Sequence, residues 1–413
     1  QRGGYLVMGG QVERRWALTD AWRAQLSLMA GGGSGADVPV GSGLLISPSA
    51  ALMYDWGHMQ TGLAWSGMNT PGGAIHSQQI GLVLSWDGHF GYFDAADVGR
   101  RANRGEGVAL GFSRMMLDGA TVRMRAHEGL PDATVHMLGV RAERRIGPHA
   151  YWGLEAAAAA RGAADGYMEV MGSAGWETSA SAIGLDGVYL GARGAIGLGG
   201  GGALRTGSGV LGKAAGVLRW ELSPEVVVGL EAGLVRSDAG RYQARYTQLQ
   251  AGVLLDRPGA SGPVTVQGLS WSASVQHLSH AARKDGSILP IDTIGIKLNG
   301  MLGQQFYVSG QAYSQVTGQA GAYCSGLAGL GWRAPLPESD WSLQVEALGG
   351  AAGGGGFDTQ GGAVTQGMVY LGRAIGRSAQ LQIGAGRVRS VRGGLSSPIV
   401  DISWNQTFGA GRN

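Results

Sequence analysis

Three stretches of this 413-residue chain are versions of one another, and that recurrence obliges the fold to be built from repeated units. The first, YLVMGGQVERRWALTDAWRAQLSLMAGGGSGADV, begins at Tyr5. The second begins at Tyr167, and the third, YCSGLAGLGWRAPLPESDWSLQVEALGGAAGGGG, at Tyr323. They start 162 and 156 residues apart. A solenoid repeat is only roughly 20 to 50 residues long, so each unit here must hold several elements.

Those elements read as strands. In WSLQVEAL, Trp341, Leu343, Val345 and Ala347 fall on one face and Ser342, Gln344 and Glu346 on the other, the period of two that a strand imposes. DTIGIKLN sets Ile294, Ile296 and Leu298 against Gly295, Lys297 and Asn299, and AQLQIGA sets Leu381 and Ile383 against Gln380 and Gln382. The polar faces are small, dominated by Gly, Ala, Ser and Gln. A soluble sandwich needs large apolar residues from two facing sheets. A membrane barrel covers its apolar face with lipid and keeps a polar interior, which fits this pattern better.

Composition supports an ordered chain without membrane helices. Gly accounts for 78 residues, charged residues are 15%, mean hydropathy is +0.02 and no apolar run approaches the roughly 18 residues of a spanning helix. The hydrophobic fraction of 44% and 12 tryptophans argue against disorder. A single cysteine, Cys324, forms no internal disulfide, and a net charge of +3 gives little support for nucleic acid as a partner. The first residues carry no signal-peptide pattern, which leaves a mature chain or a piece of a longer one.

The last strand, IVDISWNQTF, places Val400, Ile402, Trp404 and Phe408 on one face, with Asp401, Ser403, Asn405 and Thr407 opposite and Gln406 interrupting the apolar row. It resembles the carboxy-terminal assembly strand of bacterial outer-membrane β-barrels, although GAGRN follows the terminal aromatic. The resemblance is to the class, on this strand and the chain-wide alternation. It implies localisation in the bacterial outer membrane, with the lipid bilayer and lipopolysaccharide as partners.

Running the final strand inward orients the others. In the third unit the strands fall at about 322–333, 340–350, 361–373, 378–386 and 398–408. The long segments RVRSVRGGLSSP and AAGGGGFDTQGG then lie outside, and APLPESD and GRAIGRS lie in the periplasm. Trp22, Trp56, Trp86, Trp176, Trp220, Trp332, Trp341 and Trp404 all land near periplasmic strand ends, as expected of a membrane interface, and Trp65 departs from that rule.

Of two connecting regions, at roughly 104–162 and 264–320, the second reads as three strands and the first repeats its later two, giving a period of about eight. The expectation is therefore an all-β fold: one large antiparallel transmembrane barrel of about 20 to 22 strands, with 16 to 18 as the alternative. Its units are drawn at 1–103, 104–262 and 263–413, the first of them partial. By equivalence with the later units, Gln1 to Gly4 belong to an external loop before an inward strand. Either the strand count is off by one, or it is odd and upstream sequence or a partner chain would complete the wall.

No catalytic pattern is present. The histidines, including His58, His76, His136 and His277, form no HExxH or tight ligand set, and their bland reading is as lumen, girdle or loop residues. GLGGGG at 197–202 lacks the Lys-Ser/Thr of a phosphate loop and is better explained by turn geometry. No enzyme activity, metal or cofactor is expected.

Candidate lumen residues are Glu231, Lys297, Asn299, Gln344, Glu346, Gln380, Gln382 and Asp401, a mixture of both charge signs with amides that suits a neutral or hydrated substrate. Arg387, Arg389 and Arg392 form a candidate external basic loop, and Arg100, Arg101 and Arg104 a periplasmic one. Either set would suit an anionic solute or a lipopolysaccharide phosphate; solvated loop charge is the simpler account. A ring of about twenty strands leaves an interior that side chains alone do not fill, so the leading functional expectation is a conduit exporting a polysaccharide or other extended polymer. A diffusion porin is the rival within transport. An adhesin or structural scaffold with a closed lumen is the alternative of a different class.

Overall fold

The computed structural model describes residues 6–34, 41–86, 91–103, 112–124, 133–162, 164–202, 204, 206–238, 242–255, 263–318 and 323–412. It is built almost wholly of antiparallel strands. β1 (Leu6–Ala17), β2 (Trp22–Ser34), β3 (Leu44–Asp55), β4 (Met59–Asn69) and β5 (His76–Trp86) form an open five-stranded sheet. A two-residue strand, β6 (Arg101–Ala102), pairs with the start of a later one.

Eight strands then close a barrel: β7 (Arg114–Met124), β8 (Ala133–Arg145), β9 (Ala150–Arg161), β10 (Met168–Ser179), β11 (Val188–Gly200), β12 (Val210–Glu221), β13 (Val226–Ser237) and β14 (Gln243–Leu254). Eight more, β15 (Val264–Ala282), β16 (Ile288–Met301), β17 (Phe306–Thr317), β18 (Cys324–Pro335), β19 (Trp341–Gly353), β20 (Ala363–Ile375), β21 (Ala379–Ser390) and β22 (Ser396–Arg412), close another, with β15 bonded to both β16 and β22.

The eight-strand period and the all-antiparallel architecture are those read from the repeats. Twenty-one long strands lie among the described residues. They do not share one ring of 20 to 22, or of 16 to 18, and the chain is not a single barrel domain. In each complete unit the three leading strands turn back to close on their own five, so that β14 pairs with β7 and β22 with β15. Eight strands enclose an interior just wide enough for side chains to fill, and the inward residues here are bulky and mutually complementary. Inward–outward alternation is identical in a ring of eight and a ring of twenty, so it did not distinguish them.

The two faces are sharply divided. Val345, Leu381, Ile383, Ile402 and Trp404 are 41, 46, 53, 54 and 42% exposed, whereas Gln344, Gln380, Gln382 and Asp401, at alternating positions, are 4, 5, 4 and 0% exposed. A barrel with apolar side chains outside and polar ones inside inverts the distribution of a water-soluble protein. Because the strands alternate in direction, Trp22, Trp56, Trp86, Trp176, Trp220, Trp332, Trp341 and Trp404 all come to the equivalent end of the open sheet or barrel that holds them, and Trp65 stands toward the other.

The repeat is visible in backbone detail. Tyr167 and Tyr323 each immediately precede the first strand of a five-strand group, both are buried, and their carbonyls accept from Ala159 N and Gln315 N at 2.9 Å in each case. Tyr5 lies outside the described residues. The glycine runs behave as turns: Gly201 and Gly202 have φ of 91° and 60°, and Gly354 and Gly355 have 92° and 59°, backbone that other residues adopt only with strain.

The three units meet near the end opposite the tryptophans. Lys284 Nζ from the last barrel lies 2.8 Å from Asp165 of the middle one, whose carboxylate also accepts from Gly361 N. A side chain on Gly32 of the open sheet would collide with Ser314 of β17.

Candidate functional site in the barrel interiors

The middle barrel holds an ion-pair network beside a buried apolar cluster that includes Val122, Met137, Met171 and Leu211. Its inward positions bring Arg114, Arg141, Arg193, Arg219 and Lys213 against Asp118, Glu143, Glu155, Glu169, Glu177 and Glu231, all buried or nearly so. Arg114 holds Glu177 through both terminal nitrogens, at 2.8 and 3.0 Å, and donates Nε to Glu143 at 2.5 Å. Arg141 reaches across the lumen to Glu231 at 2.8 Å and to Glu155 at 2.9 Å. Arg193 binds the same two carboxylates, at 2.5 and 2.6 Å. Arg219 donates to Glu143 at 2.8 Å and also to Glu177.

The Tyr151 ring lies between two of these cations, with Arg114 and Arg219 each 4.7 Å from its centroid. Tyr246 and Gln250 donate to Glu231, and Lys213 bonds Glu169. Desolvated charges persist only when paired and hydrogen-bonded, and these pairs span facing walls: β7 to β10, β8 to β13 and β12 to β8. One cavity of about 20 Å³ lies beside Asp118, Lys213 and Tyr242, room for about one water.

The last barrel uses a sparser charge set. Lys297 Nζ sits 3.1 Å from Asp401 and 4.0 Å from the centroid of the Tyr370 ring. Asp401 also accepts from Ser274 at 2.7 Å and Gln276 at 3.0 Å. Glu346 accepts from Tyr307 at 2.9 Å and Gln311 at 2.7 Å. Gln344, Gln380 and Gln382 form a chain, with Gln344 donating to Gln380 at 3.2 Å and Gln382 donating to the same oxygen at 3.0 Å.

The candidate lumen residues therefore divide between two interiors. Glu231 is the centre of the middle network, while Lys297, Gln344, Glu346, Gln380, Gln382 and Asp401 line the last barrel. Asn299 is half-buried on β16, near the tryptophan end. The basic loop is a correction. Strand β21 runs on to Ser390, paired through Arg387↔Pro398 and Arg389↔Ser396, so Arg387 and Arg389 stand on the outer barrel face and only Arg392 is in the turn. The hairpin continues because that stretch keeps its alternation past Gly386. Arg100 pairs with Asp97 at 3.1 Å, Arg101 lies in β6, and Arg104 is outside the described residues.

Sequence reading passed over the middle barrel's cations. The signal was present as charges at period two on otherwise apolar strands, such as Arg141, Glu143 and Arg145 in VRAERR. Their pairing across the lumen depends on which strands face each other.

No protein-family model matches the chain, and no curated protein matches it. Among solved structures, the outer membrane channel DcaP of Acinetobacter baumannii aligns over 98% of both chains at 11% identity, with a TM-score of 0.23. A mutant of the ferric enterobactin receptor PfeA from Pseudomonas aeruginosa aligns over 98% of this chain and 80% of that chain at 9% identity, with a TM-score of 0.32. The KdgM porin in complex with disordered oligogalacturonate aligns over 70% of this chain and 98% of that chain at 7% identity, with a TM-score of 0.17. Overlap this slight leaves the chain's own geometry as the ground for function.

Proposed function

We propose that this chain is a non-catalytic bacterial outer-membrane protein whose tandem barrels serve as a membrane-embedded scaffold presenting the loops of the end opposite the tryptophans. The observation that carries the reading is the packed interior of the middle barrel, where ion pairs span facing walls beside a buried apolar cluster. The outward band of Leu, Val and Ile with tryptophans at one rim supports the membrane location. In a planar bilayer the purified chain should give no stable unitary conductance. Reproducible porin-sized steps would overturn the scaffold reading.

Passage of a polysaccharide or other extended polymer is the second reading, with small-solute diffusion as its variant. It is favoured by the open sheet, where Gln25, Ser27, Ser49 and Gln60 share an inner face that, among the described residues, no strand of the same sheet closes over.

That sheet also bears on partners. Among the described residues β1 pairs only with β2 and β5 only with β4. Val12, Ile80 and Leu82 are 78, 78 and 88% exposed, well above their counterparts on the closed barrels. Unpaired strand edges are costly in lipid. In both closed units the gap is filled by three strands that precede the five in sequence. We infer that three strands of the same pattern, from upstream sequence or a partner chain, complete a third ring. Amides of β1 and β5 in the isolated 413-residue chain should then exchange much faster than those of β7 and β15. Equal protection would reject the inference.

A further inference from the structure

We propose that the outer face of β13, β14 and β7 binds the phosphate of an outer-leaflet lipid, a site that rests on the outer-membrane reading above. Arg245 of β14 and Arg123 of β7 are direct partners across the seam that closes the middle barrel. Arg236 of β13 stands diagonal to them, since Leu234 is the residue opposite Arg245. All three are exposed on the outer face, at the end away from Trp152, Trp176 and Trp220.

Directly opposed side chains have Cβ atoms about 4.5–5.5 Å apart, and like charges so placed repel. Five cations of this barrel's interior are matched to carboxylates. The outer three make no ion pair among the described residues. An anion between them removes the repulsion, and guanidinium groups bind phosphate oxygens in paired fashion.

The residues below continue the pattern of a lipid. Descending the seam, Arg245↔Arg123 is followed by Thr247↔Thr121, then Leu249↔Gly119, Ala251↔Leu117 and Val253↔Met115. Cations give way to hydroxyls and then to an apolar column in which glycine and alanine allow a chain to lie close. Leu249 is 67% exposed, the kind of surface an acyl chain covers. From Arg245 to Val253 the strand rises about 26 Å, a span that takes a headgroup and the length of an acyl chain. A free phosphate would use the arginines alone and gain nothing from the column.

The test uses the full chain and the double variant Arg123→Gln/Arg245→Gln, with heat-modifiable gel mobility as the check that both fold. Native mass spectrometry after extraction in mild detergent should find a bisphosphorylated glycolipid, lipid A, retained by the parent chain. The variant should bind added lipid A roughly tenfold or more weakly, and inorganic phosphate should not displace it from the parent.

The stability effect should change sign with the surroundings. In lipid-free detergent the variant should be the more heat-resistant protein, because the repulsion is gone. In vesicles containing lipid A it should be the less resistant. Unchanged retention in the variant, or displacement by phosphate alone, would overturn the proposal even if fractionation places the chain in the outer membrane. Recovery of the protein away from that membrane would instead fail the location reading. If the glutamines prevent folding, Arg123→Lys/Arg245→Lys keeps the charge and loses the paired geometry, and unimpaired lipid A binding by that variant would equally reject the site.

Discussion

Replacing Glu231 with alanine should cost the middle barrel about 3–5 kcal/mol, the range for removing one partner of a buried ion pair. Glu231 accepts from Arg141 at 2.8 Å, Arg193 at 2.5 Å and Gln250 at 2.9 Å, and also from Tyr246. The substitution leaves two buried guanidinium groups without that carboxylate. Urea unfolding in vesicles, followed by gel mobility, measures the loss. Replacing both charges, as in Arg193→Met/Glu231→Leu, should recover much of it, since well-packed apolar residues replace a buried pair at little cost. A single-variant loss below about 1 kcal/mol, the scale of a solvated surface pair, would mean that water enters the lumen. That outcome would favour the conduit reading over the scaffold.

On the outer face the corresponding change is Ile383→Arg, expected to cost about 2–4 kcal/mol if the residue sits near the bilayer midplane. Ile383 is 53% exposed and pairs with Leu371 on one side and Ile402 on the other, both outward. An arginine there faces hydrocarbon in a membrane and water in a soluble protein. The cost should therefore appear in lipid vesicles and shrink in a hydrated detergent shell. An equal effect in both media, or none in vesicles, would argue that lipid does not cover this face. Its neighbour Gln382 points inward and donates to Gln380 at 3.0 Å, so Gln382→Leu should cost less and show no such dependence on medium.

The division of faces was legible because strand alternation is a local property. Leu381 and Gln382 are adjacent in sequence, and a pleated strand sends them to opposite sides whatever surrounds it. The eight-strand period was legible for a related reason, since Tyr167 and Tyr323 mark equivalent positions that any fold of repeated units must respect. The same pattern gave the strands of the third unit to within a few residues, except at Arg387 and Arg389, where the alternation ran past the expected loop. What the sequence by itself determined was thus the strands, their faces, and the unit in which they come.

Ring closure was decided only in three dimensions. Whether β14 meets β7 or passes on to the next unit depends on pairing between residues such as Gln248 and Ala120, more than a hundred positions apart, and no local rule encodes that choice. Closure in turn decided the interior. Glu231 was recognisable as an inward carboxylate, but Arg141 and Arg193 became its partners because an eight-strand ring brings β8, β11 and β13 within reach of one another. In a ring of twenty strands the same side chains would stand too far apart to pair across the lumen, which would then hold water. Alternation fixes which side a residue faces, and the radius of the closed wall fixes what it meets there.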